Sequence, residues 1–269
     1  MKAFFGIGGY LPAEGYLSWQ HLTFVSSLMV ILIGLAIFVG LRQKSKTYRE
    51  KNSVLIITAI LIDSLEIFKI VFFGVRDSNP MIWVSELPLF LCSIQLIAIP
   101  LAAFSKGRLR DAALDFVLIF GMLGAVFGTY GAGQNYAAYP VLSFPNVISG
   151  ITHSISGFAS LYIGISGMSG MKKKNMPITF GILGGFCAAA YIVNSTVRNA
   201  DGELYLNYMF LMRDDGTPYQ IFYNLVNGNK ILYPLIVVAL FLLYITLFYL
   251  VVFFIRSKRS ERQLPGIKS

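Results

Sequence analysis

The chain has 269 residues, 56% of them hydrophobic and only 13% charged, where a soluble domain is nearer 25% charged. That shortage of charge excludes a soluble fold more firmly than the apolar excess does, because lipid penalises every exposed charge. The net charge of +9 does not point to nucleic acid, since the basic residues lie between apolar runs and nothing else favours that partner. Cys92 and Cys187 are the only cysteines and sit inside apolar runs, which argues against a disulfide framework. The first twenty residues, with a short apolar stretch interrupted by Glu14, make a poor signal peptide.

A membrane span needs roughly 20 mostly apolar residues to cross about 30 Å of hydrocarbon. Seven runs qualify, at 22–41, 53–73, 87–104, 112–130, 146–167, 178–197 and 231–255. The expected fold is therefore all-α: a single polytopic domain over 1–269, a bundle of seven transmembrane helices. The connections are short except for 198–230, an aromatic-rich segment that reads either as an interfacial anchor or as a lid.

Charge orients the bundle. The loop at 42–52 carries five Lys/Arg, 105–111 three, 168–177 three and the tail from Arg256 five, sixteen on one side. The other side has Lys2, Arg76, Arg198, Arg213 and Lys230. Cytoplasmic segments hold the Lys/Arg excess, so the N-terminus is expected outside and the C-terminus in the cytoplasm, as in a multi-pass cell-membrane protein.

Small residues mark the packing faces. Gly121, Gly124, Gly128 and Gly131 form one stripe of the fourth span, and Gly150, His153, Gly157 and Gly164 one stripe of the fifth. Such stripes let membrane helices approach closely, so both faces, and His153 with them, are expected to look inward.

Ionisable groups inside spans are costly and face the bundle interior. The second span holds Asp63, Glu66 and Lys69, spaced so that opposite charges can pair on one helix side. That pairing could serve only to neutralise and pack. The third span opens Leu87-Pro88-Leu89-Phe90-Leu91-Cys92, with Gln95 further in. A cysteine there is ordinarily a small hydrophobe, and a lone histidine on a glycine stripe is ordinarily a packing donor. Depth alters this. At 1.5 Å per residue, Cys92, His153, Glu66 and Asn194 fall roughly 6–13 Å below the outer ends of their spans. A thiol, an imidazole, a carboxylate and an amide in one outer-leaflet layer point to a cavity open to that leaflet. Cys187, without a polar neighbour within a turn, reads as packing.

The same residues carry a resemblance. Leu87-Pro-Leu-Phe-Leu-Cys92, the isolated His153 after a Pro-containing loop, and Asn207-Tyr208-Met-Phe-Leu leading to Pro218 together resemble the YwaF-like bacterial integral membrane family, which includes the eukaryotic transmembrane protein 164, a phospholipid acyltransferase. His21 and the Glu66–Lys69 pair also look like family positions. Phe90 departs from the pattern, standing where many bacterial members have His. The resemblance implies a Cys/His pair that moves a fatty acyl chain through a thioester, with Cys92 the nucleophile and His153 the base. It would take a membrane phospholipid as donor and a lysophospholipid as acceptor, with no cofactor. Glu66 or Asn194 would orient the imidazole, and Lys69, Gln95, Asn207 and His21 would support the site or bind substrate. The chemistry is coherent, because the thiolate is the attacking form and a thiol in apolar surroundings needs an adjacent base.

Two other function classes stay open. A transporter or small-molecule binding protein would use Asp63, Glu66 and Lys69 as an ion or proton relay, although no inverted repeat is visible. A regulatory partner of another membrane protein would need no chemistry. A metal site is not expected: His21 and His153 are the only histidines, and Asp201, Glu203, Asp214 and Asp215 read as turn residues. A lipid hydrolase would share the catalytic pair, and the sequence does not separate it from a transferase.

Overall fold

The structure is a computed structural model that describes residues 1–78, 81–199 and 201–262; Lys268 of the basic tail lies outside the described residues. It is built from helices: α1 (Lys2–Phe5), α2 (Trp19–Gln43), α3 (Tyr48–Asp77), α4 (Ile82–Ser85), α5 (Gln95–Phe104), α6 (Gly107–Thr129), α7 (Gly133–Ala138), α8 (Phe144–Ser166), α9 (Met176–Thr196), α10 (Gln220–Leu225) and α11 (Leu232–Arg262). Among the described residues the extended pairing is limited to an isolated antiparallel bridge between Arg198 and Leu204.

Local chemistry sets the boundaries. Ser18 caps α2 by accepting from the His21 backbone N–H. At the start of α3, Thr47 and Glu50 form a reciprocal capping box, and the Thr47 bonds hold the Glu50 carboxyl below its usual range. α8 opens with a proline in its first turn and closes on Gly167 at φ 72°, a left-handed C-cap that glycine adopts without a Cβ penalty.

Among the described residues four segments are long and apolar enough to cross a membrane: Trp19–Gln43, Gly107–Ala138, Lys173–Thr196 and Leu232–Lys258. Large apolar side chains such as Val30, Phe38, Ile57, Phe68, Leu247 and Phe254 are exposed along the helices, an arrangement suited to lipid rather than water. α3 and α8 are helical over the expected second and fifth spans but carry too many polar groups to stand out by apolarity. The third expected span differs more. The helix there is only Gln95–Phe104, ten residues or about 15 Å, and residues 87–94 precede it as turns.

The chain divides into two compact units, Met1–Gly170 and Met171–Ser269. In the first, α8 packs against α6, α2 and α3, and α5 packs against α6 and α3. The glycine stripes explain how α6 and α8 meet. A Cβ on Gly121 would lie 2.8 Å from the Ser156 carbonyl oxygen, and one on Gly157 2.8 Å from Ala125 Cβ. Gly150 instead faces Phe24 and Leu28 of α2. Two serines of α8 bond into this seam: Ser160 Oγ donates to the Leu118 carbonyl at 2.8 Å and Ser156 Oγ to that of Gly121 at 3.4 Å. At the other end, Lys51 Nζ caps α8 by donating to the Ser166 carbonyl at 2.8 Å, and Tyr162 Oη donates to the Lys51 carbonyl at 2.9 Å.

In the second unit α9 packs on α11, with Thr179 and Tyr249 hydroxyls 3.2 Å apart. Cys187 is buried with its sulfur 3.9 Å from that of Met209. The connection at 198–230 contains a 3₁₀ turn at Tyr208–Phe210 as well as α10. Its aromatic residues stack locally, Phe210 on Tyr219 and Tyr223 edge-on to Tyr233.

Because Gly121 meets backbone across the seam, Gly121→Ala should destabilise the protein by about 1–3 kcal/mol, the usual cost of overpacking. Gly34 of α2 has nothing within 4 Å, so Gly34→Ala should be neutral or slightly stabilising. Thermal unfolding of both variants in detergent checks the contrast.

Candidate functional site

The site begins where helical structure is given up. Between Leu87 and Ile94 the backbone makes short-range bonds: Leu89 N–H to the Leu87 carbonyl at 2.7 Å, Ser93 N–H to that of Phe90 at 3.0 Å, and Ile94 N–H to the same oxygen at 2.9 Å. Ser93 Oγ accepts from the Phe90 N–H at 3.1 Å. Cys92 lies in the middle of these turns, just before α5. Non-helical backbone at membrane depth is tolerated where protein encloses it or where it lines a water-filled cavity.

Here the turns are enclosed by protein on one side and line a cavity on the other. On one side Gly124 of α6 faces Cys92, where a Cβ would come within 3.2 Å of the cysteine Cα. On the other, Cys92 lines a cavity of about 200 Å³ whose wall also includes His153 of α8 and Glu66 and Lys69 of α3. Gly128, one turn along α6 from Gly124, leaves the space that the His153 ring occupies, and a Cβ there would strike the ring atoms Cγ, Nδ1 and Cδ2. One glycine stripe thus seats both the cysteine and the histidine. Ser93, Asn135, Ser149 and Thr152 add hydroxyl and amide groups to the same wall.

The cavity holds an ionic cluster. Lys69 Nζ is 2.6 Å from Glu66 Oε1 and 2.9 Å from Glu86 Oε2, with its side chain only 14% exposed. Glu66 is buried, and Glu86 opens toward the surface. The ammonium is near enough to act electrostatically on both Cys92 and His153, and the Glu66 carboxylate on Cys92. A thiol, an imidazole and a buried cation on one wall are groups with which nucleophilic acyl chemistry can be done.

The remaining expected residues fall elsewhere. His21 is fully buried, its Nδ1 accepting from the Leu17 N–H and its Nε2 donating to the Thr129 carbonyl, both at 3.2 Å. Its ring stacks on Tyr136 of α7 at 3.9 Å. Gln95 is fully buried behind the lining residues Ser93 and Leu96, with no hydrogen-bond partner for either amide atom among the described residues. Asn194 and Asn207 belong to the second unit. Asn194 pairs with both backbone groups of Tyr208, at 2.9 and 2.7 Å. Asn207 ties the 207–215 turn by donating to the Arg213 carbonyl and the Asp215 carboxylate and accepting from the Met212 N–H. Asp63 is not among the cavity-lining residues, whereas Phe90 is.

Glu86 and Asn135 were not singled out in the sequence. Glu86 carried a signal in hindsight: it is an acid directly ahead of Leu87-Pro88, within reach of a span whose lysine has only Glu66 as a local partner. Asn135 carried none, sitting in a short loop rich in glycine.

The TMEM164 family model matches residues 16–252, nearly the whole chain, and the chain belongs to this family of membrane proteins. No curated protein and no solved structure matches it.

Lys69→Met should leave the Glu66 and Glu86 carboxylates without their shared cation and destabilise by roughly 3–5 kcal/mol, the cost of breaking a buried pair. Adding Glu66→Gln should recover part of that loss. Unfolding of the single and double variants in detergent reads the difference.

Proposed function

We propose that this member of the TMEM164 family is a phospholipid acyltransferase of the cell membrane, moving a fatty acyl chain through a thioester on Cys92. The observation that carries the reading is that Cys92 and His153 line one cavity and are seated by neighbouring glycines of a single helix. His153 takes the thiol proton as the sulfur attacks the donor ester. It then delivers that proton to the oxygen of the departing lysophospholipid. In the second half the hydroxyl of an acceptor lysophospholipid attacks the thioester, and the sulfur leaves and recovers a proton through the imidazole. Lys69, clamped by Glu66 and Glu86, supplies a fixed positive charge beside the reacting sulfur.

The proposal includes seven spans with the N-terminus outside. Its support is the sixteen-to-five division of Lys and Arg and the helical course of α3 and α8. The turns at 87–94 together with α5 make the third span. Cys92 is twelve residues before Phe104, the inner end of α5, about 18 Å along that path. That depth suits an ester just below the outer headgroups.

The central test is intact-mass measurement of purified protein incubated with a labelled phospholipid. Wild type should carry one acyl adduct. Cys92→Ala and Cys92→Ser should carry none and lose transfer, because an alcohol is a far weaker nucleophile. Cys187→Ala should behave as wild type. His153→Ala should slow acylation by roughly 10²–10⁴. Gly128→Ala, which drives a methyl into the imidazole, should approach that loss, while Gly124→Ala should be milder. Full transfer by Cys92→Ser would end the nucleophile assignment. A transporter would show the reverse pattern, with Glu66 replacements severe and Cys92→Ser silent.

Topology is checked separately. Protease added outside right-side-out vesicles should cut within 201–215 and spare a tag placed after Ser269. Loss of the tag would refute the seven-span count.

A further inference from the structure

We infer that α7 is a roof over the cavity, held shut by the N-terminal strap, and that this closure makes the acyl-enzyme a donor to lipid rather than to water. The inference rests on the acyltransferase reading and names what fixes its outcome.

α7 is six residues long and contributes Asn135 to the cavity wall. So short a helix does not hold its own position in water, and its anchors come from elsewhere in the chain. Under it, Tyr136 is buried against the ring of His21. At its leading end Tyr16 Oη donates to the Tyr130 carbonyl at 2.8 Å. At its trailing end Glu14 Oε2 accepts from the Val141 N–H at 2.7 Å, and Tyr10 packs edge-on to Tyr139 at 5.1 Å. The strap is tied down in turn by Arg76 at the end of α3, which donates to the Phe5 carbonyl at 2.9 Å and to Tyr10 Oη at 2.7 Å. Residues 5–16 thus bind both flanks of α7 and the helix that carries Lys69. None of them lines the cavity, so their influence on it passes through α7 and, by way of Arg76, through α3.

The chemistry makes this closure selective. In transfer the hydroxyl oxygen of a lysophospholipid forms the new C–O bond and the C–S bond breaks. In hydrolysis a water oxygen does the same and a free fatty acid leaves. In both, the attacking oxygen's proton passes to His153 and then to the Cys92 sulfur, so the two routes balance identically and differ only in which oxygen arrives. A lysophospholipid comes from the membrane side, whereas bulk water comes from the surface side, where the cavity wall is made by Asn135 of α7 and by Glu86.

The experiment uses full-length protein in lipid nanodiscs with a phospholipid bearing a radiolabelled acyl chain and a lysophospholipid of the same headgroup. Free labelled fatty acid is compared with labelled acceptor lipid in wild type, Glu14→Ala, Arg76→Gln and the mild variant Tyr16→Phe. Each lost hydrogen bond should raise the open population, and with it the hydrolysis-to-transfer ratio, by roughly fivefold, while the rate of adduct formation stays near wild type. Hydrogen exchange of the α7 amides should rise in the same order. An unchanged ratio in folded variants that still form the adduct would overturn the roof alone. No adduct on wild type would overturn the acyltransferase reading and the roof with it.

Discussion

Hydrocarbon offers no hydrogen bonds, so a backbone that stops being helical at membrane depth must find partners within the protein or within a wet cavity. The turns at 87–94 interrupt an apolar run, and the elements around them enclose that backbone. α6 approaches them through Gly124, close enough to exclude lipid from one side. α3 answers from another side with Lys69, whose bond to Glu86 fastens the residue immediately ahead of the turns. α8 faces the cavity with Ser149, Thr152 and His153, while its Ser156 and Ser160 are used in the seam with α6. The cavity lies where these elements enclose the non-helical backbone.

The ionic cluster belongs to the same logic. A lone buried ammonium is expensive, and Lys69 is retained by two carboxylates from different parts of the chain. Such a buried arrangement is weak evidence for stability by itself, because desolvation offsets much of the attraction. Its value lies in position. It joins α3 to the segment bearing Cys92 and leaves a charge beside the thiol and the imidazole.

Much of this was legible in the sequence because glycine and charge are explicit there. The stripe from Gly121 to Gly128 announced a close approach, and the same stripe proved to seat Cys92 and His153. Matching depths grouped Cys92, His153, Glu66 and Asn194; the first three line one cavity, whereas Asn194 belongs to the second unit. The start of α5 was not legible: Pro88 reads equally as a first-turn residue or as a break, and the choice depends on neighbours far along the chain. Glu86 pairs with Lys69 only because α4 folds back onto α3. His21 was visible as a residue at the outer start of α2, but its use as a pin beneath Tyr136 arises from contacts with a loop more than a hundred positions away. Asn194 and Asn207 showed their polarity and hid their purpose, which is to hold backbone turns of their own unit.

A helix that meets its partners through glycine has already given up every atom it can spare. At Gly121, Gly128 and Gly157 each substitution adds volume where none is free, so these positions can change in only one direction and that direction is blocked. Core leucines and valines elsewhere can exchange size with a neighbour and drift together. The α6–α8 seam has no such exchange available, and descendants of this sequence inherit a fixed spacing there while the lipid-facing sides of the same helices remain free to wander.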